Sequence, residues 1–110
     1  MKQYVIDQLR ESDFHALENH LDHHAEQGDL PGIYWVPIPE LLYEAVQREH
    51  SSCQPFYFAI NLHRNSISFE LLVRTRQRLR CSCIQYASQR QRQHIMDYAD
   101  DLFDELNLKT

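Results

Sequence analysis

The sequence predicts an α+β domain: an antiparallel sheet containing a three-stranded meander, packed by about three helices, the last of them C-terminal and amphipathic. Two patterns carry that prediction. Between Phe56 and Ile84 apolar and polar residues alternate with period two in three runs; from Ser88 onward the apolar residues recur at helical spacing. Size is the third observation. A chain of 110 residues, 43% of them apolar, suits one domain over 1–110 with a single core.

The elements follow in order. Tyr4-Val-Ile6 reads as a short strand. Ser12 or Asp13 can cap a helix running to about Glu26, with Phe14, Leu17, Leu21 and Ala25 on one face and Gly28 as its stop. Pro31-Gly32 marks a tight turn, and Ile33 to Val36 an extended segment that Pro37 ends. Pro39 suits the first position of a second helix, over about Glu40 to Glu49. In the meander, Phe56, Phe58, Ile60 and Leu62 share one face of the first strand. Ile67, Phe69, Leu71 and Val73 share a face of the second, and Leu79, Cys81 and Cys83 a face of the third. Links at 63–66 and 75–77 join the strands, with 74 opposite 78, 72 opposite 80 and 70 opposite 82 as the expected register. Ser88 and Gln91 have capping-box spacing, and Ile95, Ala99, Leu102 and Leu106 form the stripe of the last helix.

Composition excludes several classes. No apolar run approaches the roughly 18 residues of a membrane helix, and Asp7 comes too early for a signal peptide, so a cytoplasmic protein is expected. Three cysteines are an odd count, which fits reduced thiols. With only Gly28 and Gly32, the chain has no P-loop, no dinucleotide-binding glycine fingerprint and no nucleophile elbow. No Ser/His/Asp order or carboxylate pair singles out a catalytic residue.

Tyr34-Trp-Val-Pro-Ile-Pro39, Glu70-Leu-Leu-Val-Arg74 and Cys81-Ser-Cys-Ile-Gln-Tyr-Ala87 resemble segments of small bacterial proteins with no assigned activity, similar over the whole chain. The resemblance implies a bacterial cytosolic protein and nothing about chemistry.

Two constellations carry chemistry. The first is His50-Ser-Ser-Cys53 with Cys81-Ser-Cys83. The topology brings the entry to the first meander strand and the start of the third to one sheet edge. Strands one and three are about 10 Å apart, a distance the loop holding His50 and Cys53 can close. One imidazole and three thiolates suit tetrahedral zinc. In a regular strand, however, Cys-x-Cys holds its sulfurs too far apart for one ion without a bulge, and buried core thiols are the plainer expectation. Redox chemistry has less support, because alternation turns Arg78 and Arg80 away from the thiols. His20 and His24 also have chelating spacing on the first helix, but no obvious third ligand, and read better as surface groups.

The second constellation is basic. Residues 71–96 hold six arginines (Arg74, Arg76, Arg78, Arg80, Arg90 and Arg92) and no acid, while the remainder holds five basic and sixteen acidic residues. The expected register puts Arg74, Arg78 and Arg80 on one sheet face, with Arg76 at the tip and Tyr57, Asn61 and Tyr86 nearby. Arg90 and Arg92 lie in the first turn of the last helix, against its dipole, so an acidic group is expected beside them; Glu40 and Glu44 are among the candidates within the chain.

Three functions fit these features. The first is a non-enzymatic protein-interaction or regulatory module, whose arginines or Tyr34/Trp35 meet an acidic partner or a second copy of the chain. The second is a small zinc protein using His50, Cys53, Cys81 and Cys83. The third is a single-stranded nucleic-acid binder using the arginine face; the net charge of −5 and the absence of an RNP-type motif count against it.

Overall fold

A computed structural model of the chain describes residues 1–109. Its strands are β1 (Gln3–Ile6), β2 (Glu26–Gln27), β3 (Ile33–Pro37), β4 (Phe56–Leu62), β5 (Ile67–Glu70), β6 (Leu72–Thr75) and β7 (Gln85–Tyr86), and its helices α1 (Glu11–His24), α2 (Ala45–Glu49) and α3 (Gln89–Glu105). The sheet is antiparallel throughout, ordered β1-β5-β4-β3-β2, with β6 pairing β4 and carrying β7. The mixed α+β class with a C-terminal helix is as expected. No helix among the described residues is long and apolar enough to cross a membrane.

The inward residues are the ones the alternation selects. Phe56, Phe58 and Ile60 of β4, Ile67 and Phe69 of β5 and Val73 of β6 join Leu17 and Leu21 of α1 and Ile95, Ala99, Leu102 and Phe103 of α3 in one core. Pro31-Gly32 makes the expected turn. Gly32 has φ +84°, and a Cβ there would lie 2.7 Å from Leu62 O, so only glycine fits.

The meander departs from the expected register. Residues 76–84 form turns rather than a strand, and β7 pairs Leu72 with Tyr86 and Val73 with Gln85. The alternation of Leu79, Cys81 and Cys83 therefore misleads: Leu79 is 99% exposed, and Cys81 O accepts from Ile84 N at 3.0 Å. Strands β5 and β6 are one strand bent by a bulge. Ile60 pairs with Phe69 and Tyr57 with Arg74, so residues 70–73 oppose only 58–59. Such an excess bends a strand and re-aims its side chains; Glu70 Oε1 and Arg74 Nη2 meet at 2.7 Å across it.

Helix boundaries shift for local reasons. Arg10, not Ser12 or Asp13, precedes α1; Asp13 sits one turn in, buried, accepting from Arg10 N at 3.0 Å and from its guanidinium. These bonds hold its carboxyl below the usual range. The expected helix over Glu40–Glu49 is split into a 3-10 turn at Glu40–Leu42 and α2. Tyr43 breaks it by turning inward: its ring meets Phe56 edge-on at 5.1 Å, and its hydroxyl accepts from Phe56 N at 3.1 Å.

The starts of α2 and α3 are locked together by two glutamines. Gln91 Nε2 donates to Gln47 Oε1 at 2.9 Å and to Leu42 O at 2.8 Å, while Gln91 Oε1 accepts from Ser88 N and Gln47 Oε1 from Glu44 N. Each glutamine is only 1% exposed. Ser88 Oγ donates to Glu44 Oε2 at 3.0 Å, which puts a carboxylate at the α3 N-terminus, where the helix dipole favours it. Because His50 directly follows α2, this lock also fixes one side of the candidate site. Gln91→Leu removes the side-chain partners of the Leu42 carbonyl and the Ser88 N–H and one of the two donors to Gln47 Oε1, and is expected to cost about 1–3 kcal/mol. Urea unfolding of the variant measures it, and an unchanged midpoint would contradict the role assigned to the pair.

Candidate metal centre

Chain segments separated by nearly thirty residues supply the four ligand-type side chains. His50 ends α2, and Cys53 ends the 3-10 turn Ser51–Cys53 that leads into β4. Cys81 and Cys83 belong to the 76–84 segment. Thr75, the last residue of β6, donates its hydroxyl to Cys53 O and accepts from Gln77 N at 2.9 Å, so the segment leaves the sheet beside the turn. The 81–84 turn then replaces the bulge that a Cys-x-Cys strand would have required. It brings both sulfurs to the same point.

One donor atom from each of His50, Cys53, Cys81 and Cys83 lies within 4.8 Å of the other three. His50 Nδ1 is 2.9 Å from Cys81 Sγ, and Cys53 Sγ is 3.9 Å from Cys81 Sγ. Tetrahedral zinc with bonds of about 2.3 Å separates its sulfurs by about 3.8 Å. The set is thus geometrically compatible with a single metal ion, and too close-set to surround a cluster of several metal atoms. Among the described residues it is the one such group. His20 and His24 have rings 4.4 Å apart but belong to no group of three.

Burial divides the four. Cys53 and Cys83 are buried, whereas His50 and Cys81 are partly exposed beside a surface depression that Ser51, Ser52, Arg78 and Arg80 also line. Core packing accounts for two buried thiols; it gives no reason for an imidazole nitrogen against a third sulfur. All three cysteines are free thiols. Hydrogen bonds from the Cys83 thiol and backbone N–H, with smaller ones from His50 and Cys53, bring Cys81 down to about 6. Burial, and then donation to Cys81 and Cys53, push Cys83 up to about 12. Without metal, Cys81 is therefore the more acidic of the Cys81–Cys83 pair and Cys83 keeps its proton at neutral pH.

The six arginines occupy three settings rather than one face. Arg74 and Arg76 lie over Trp35, with guanidinium carbons 4.9 and 5.4 Å from the ring centroid. They also meet Glu70 at 2.7 Å and Glu26 at 3.0 Å. Arg78 and Arg80 ride on the irregular segment above the cysteines. Arg90 donates to Leu41 O at 3.4 Å, and Arg92 is exposed on the first turn of α3. The bulge gives Glu70 Arg74 and Asn61 as its partners. Sequence reasoning also missed Trp35 as the platform for Arg74 and Arg76, although the β3–β4 pairing sets it beside Ala59 and Tyr57. Compared with known protein families, curated proteins and solved structures, the chain matches none.

The pKa ordering predicts how the metal-free thiols react. Cys81 is expected to be alkylated first, with a rate that rises through pH about 6 as its thiolate forms, and Cys83 last. Mass-spectrometric mapping after brief iodoacetamide treatment reads this order. Equal labelling of the three would contradict it.

Proposed function

We propose that this protein is a small zinc-binding domain, in which one ion held by His50 Nδ1 and the sulfurs of Cys53, Cys81 and Cys83 ties the 76–84 segment to the corner between α2 and β4. The observation that carries the reading is the convergence of the four donor atoms within 4.8 Å. Three thiolates and an imidazole are soft to borderline ligands that select zinc over magnesium or calcium. Four protein ligands fill a tetrahedron and leave no position for substrate, so the role is structural rather than catalytic. Three thiolates and Zn²⁺ carry one net negative charge, and Arg78 and Arg80 beside the depression offset it.

An ion of charge two also resolves the proton balance of the cluster. Metal-free, burial and hydrogen bonding to Cys81 keep the Cys83 thiol protonated near neutrality; with the ion present, all three cysteines ligate as thiolates and their protons are released. Ion binding adds stability that grows with free metal, about 4 kcal/mol at a thousand times Kd. The sheet core contains none of the ligands except Cys53 and Cys83, so metal removal is expected to loosen the segment and leave the sheet folded.

The test is metal content by mass spectrometry on protein purified without chelator or immobilised nickel, followed by zinc competition against a chromophoric chelator. One zinc per chain, lost in Cys81→Ser and in Cys83→Ser, is the expected result. Protein that takes up no zinc from the chelator would sink the reading. Chelation is also expected to change the emission of Trp35, the only tryptophan, since Arg76 begins the tethered segment and lies over its ring.

A further inference from the structure

A cavity of about 450 Å³ opens beside Trp35, within the range of roughly 300–1,000 Å³ typical of small-molecule sites. It is separate from the four metal ligands, although the 76–84 segment supplies part of its wall. Trp35, Leu72 and Leu79 give it an apolar side, and Arg74, Arg76 and Arg78 bring three positive charges to it. Glu70 and Asp29 also line it; Arg74 pairs with Glu70 and Arg76 with Glu26, which leaves Arg78 as the guanidinium there without an ion-pair partner among the described residues.

Three features here are unexplained by folding. Arg74 Nε is, among the described residues, the one buried side-chain nitrogen or oxygen with no hydrogen-bond partner. An unpaired buried donor costs roughly 1–3 kcal/mol, and buried polar atoms otherwise find partners. Leu79 is 99% exposed, so its side chain packs on nothing in the chain. Arg78, one residue away, has no acidic partner among the described residues, unlike Arg74 and Arg76. The unpartnered guanidinium of Arg78 and the unpacked isobutyl group of Leu79 thus line one concavity beside an indole, together with Arg74, whose Nε–H is orphaned.

We propose that this cleft binds a small organic anion with a flat, largely apolar ring body. The ring system lies against Trp35, Leu72 and Leu79, and the anionic oxygens accept from Arg78 and, after a small rotation of its guanidinium, from Arg74 Nε. Arginine suits such oxygens because its planar fork gives charge-assisted, directional bonds. The volume admits one ring system with its acidic group rather than a polymer strand. A carboxylate and a phosphate ester share this chemistry.

Isothermal titration calorimetry on the full chain as purified tests the proposal with two probes, 2-naphthoate and AMP. Naphthalene-2-methanol serves as the uncharged analogue and inorganic phosphate as the anion without an apolar body. One site is expected for at least one of the two probes, with both controls weaker by about tenfold or more, the loss of one charge-assisted bond or of the apolar contact. Preference for 2-naphthoate or for AMP identifies a carboxylate or a phosphate ligand. Arg78→Gln, at an exposed position, is expected to weaken the bound probe by about tenfold. Leu79→Ser should weaken it too, and leave inorganic phosphate unaffected. Circular dichroism confirms that both variants fold. The proposal is overturned if neither probe gives saturable heat at millimolar concentration, if the alcohol binds as tightly as the anion, or if both variants bind like the parent. Metal content is measured on the same sample, so a failure of the cleft to bind either probe is read separately from a failure of the four side chains to hold zinc.

Discussion

Residues 76–84 leave the sheet after β6 and rejoin it at β7 without a helix or strand of their own, and Cys81 and Cys83 hold them against His50 and Cys53. Much else depends on that contact. The two-residue β7 has only Leu72 and Val73 to pair with, too little hydrogen bonding to place the segment. The positions of Arg76, Arg78 and Leu79 at the cavity beside Trp35 follow from the same tether. On the other side, the buried Gln47–Gln91 pair fixes α2, and through it His50. The cluster joins a rigid corner to an irregular segment.

As bare thiols the cluster is a weak fastener. Neutral cysteines pack as small apolar groups, and a sulfur is a poor hydrogen-bond partner. Charge accumulates badly as well: Cys81 ionises near pH 6 because Cys83 donates to it, and that same arrangement keeps Cys83 protonated. Replacing those protons with one divalent ion turns mutual repulsion into attraction. This is the physical reason for reading the four residues as ligands rather than as packing.

The regular parts of the fold were legible because one force acted on each. Phe56, Phe58, Ile60 and Leu62 alternate because one face of β4 joins the main core, although Tyr57 and Ala59 behind it are buried as well, and Ser88 with Gln91 marks the start of α3 through local hydrogen bonding. The misreading at Leu79, Cys81 and Cys83 has the opposite origin. Their period-two pattern reflects two cysteines needed at one point and a leucine left in solvent, not a buried strand face. The bulge opposite Ala59 was hidden because Glu70, Leu72 and Arg74 keep strand-like alternation through it. The candidate set was legible from residue type, whereas its convergence, expected from a third strand that does not form, is made by the 76–84 segment instead. What the chain could not disclose was the turn at 81–84, which depends on the tertiary contact it serves.

Cobalt(II) substitution tests the central claim most directly, because the ion's spectrum reports both geometry and ligand type. One equivalent added to metal-free protein is predicted to give the intense visible bands of tetrahedral cobalt and the near-ultraviolet charge-transfer band of cobalt–thiolate bonds. Both should vanish when one equivalent of zinc is added. A pale octahedral spectrum without thiolate charge transfer would show that the four side chains do not act as a ligand set.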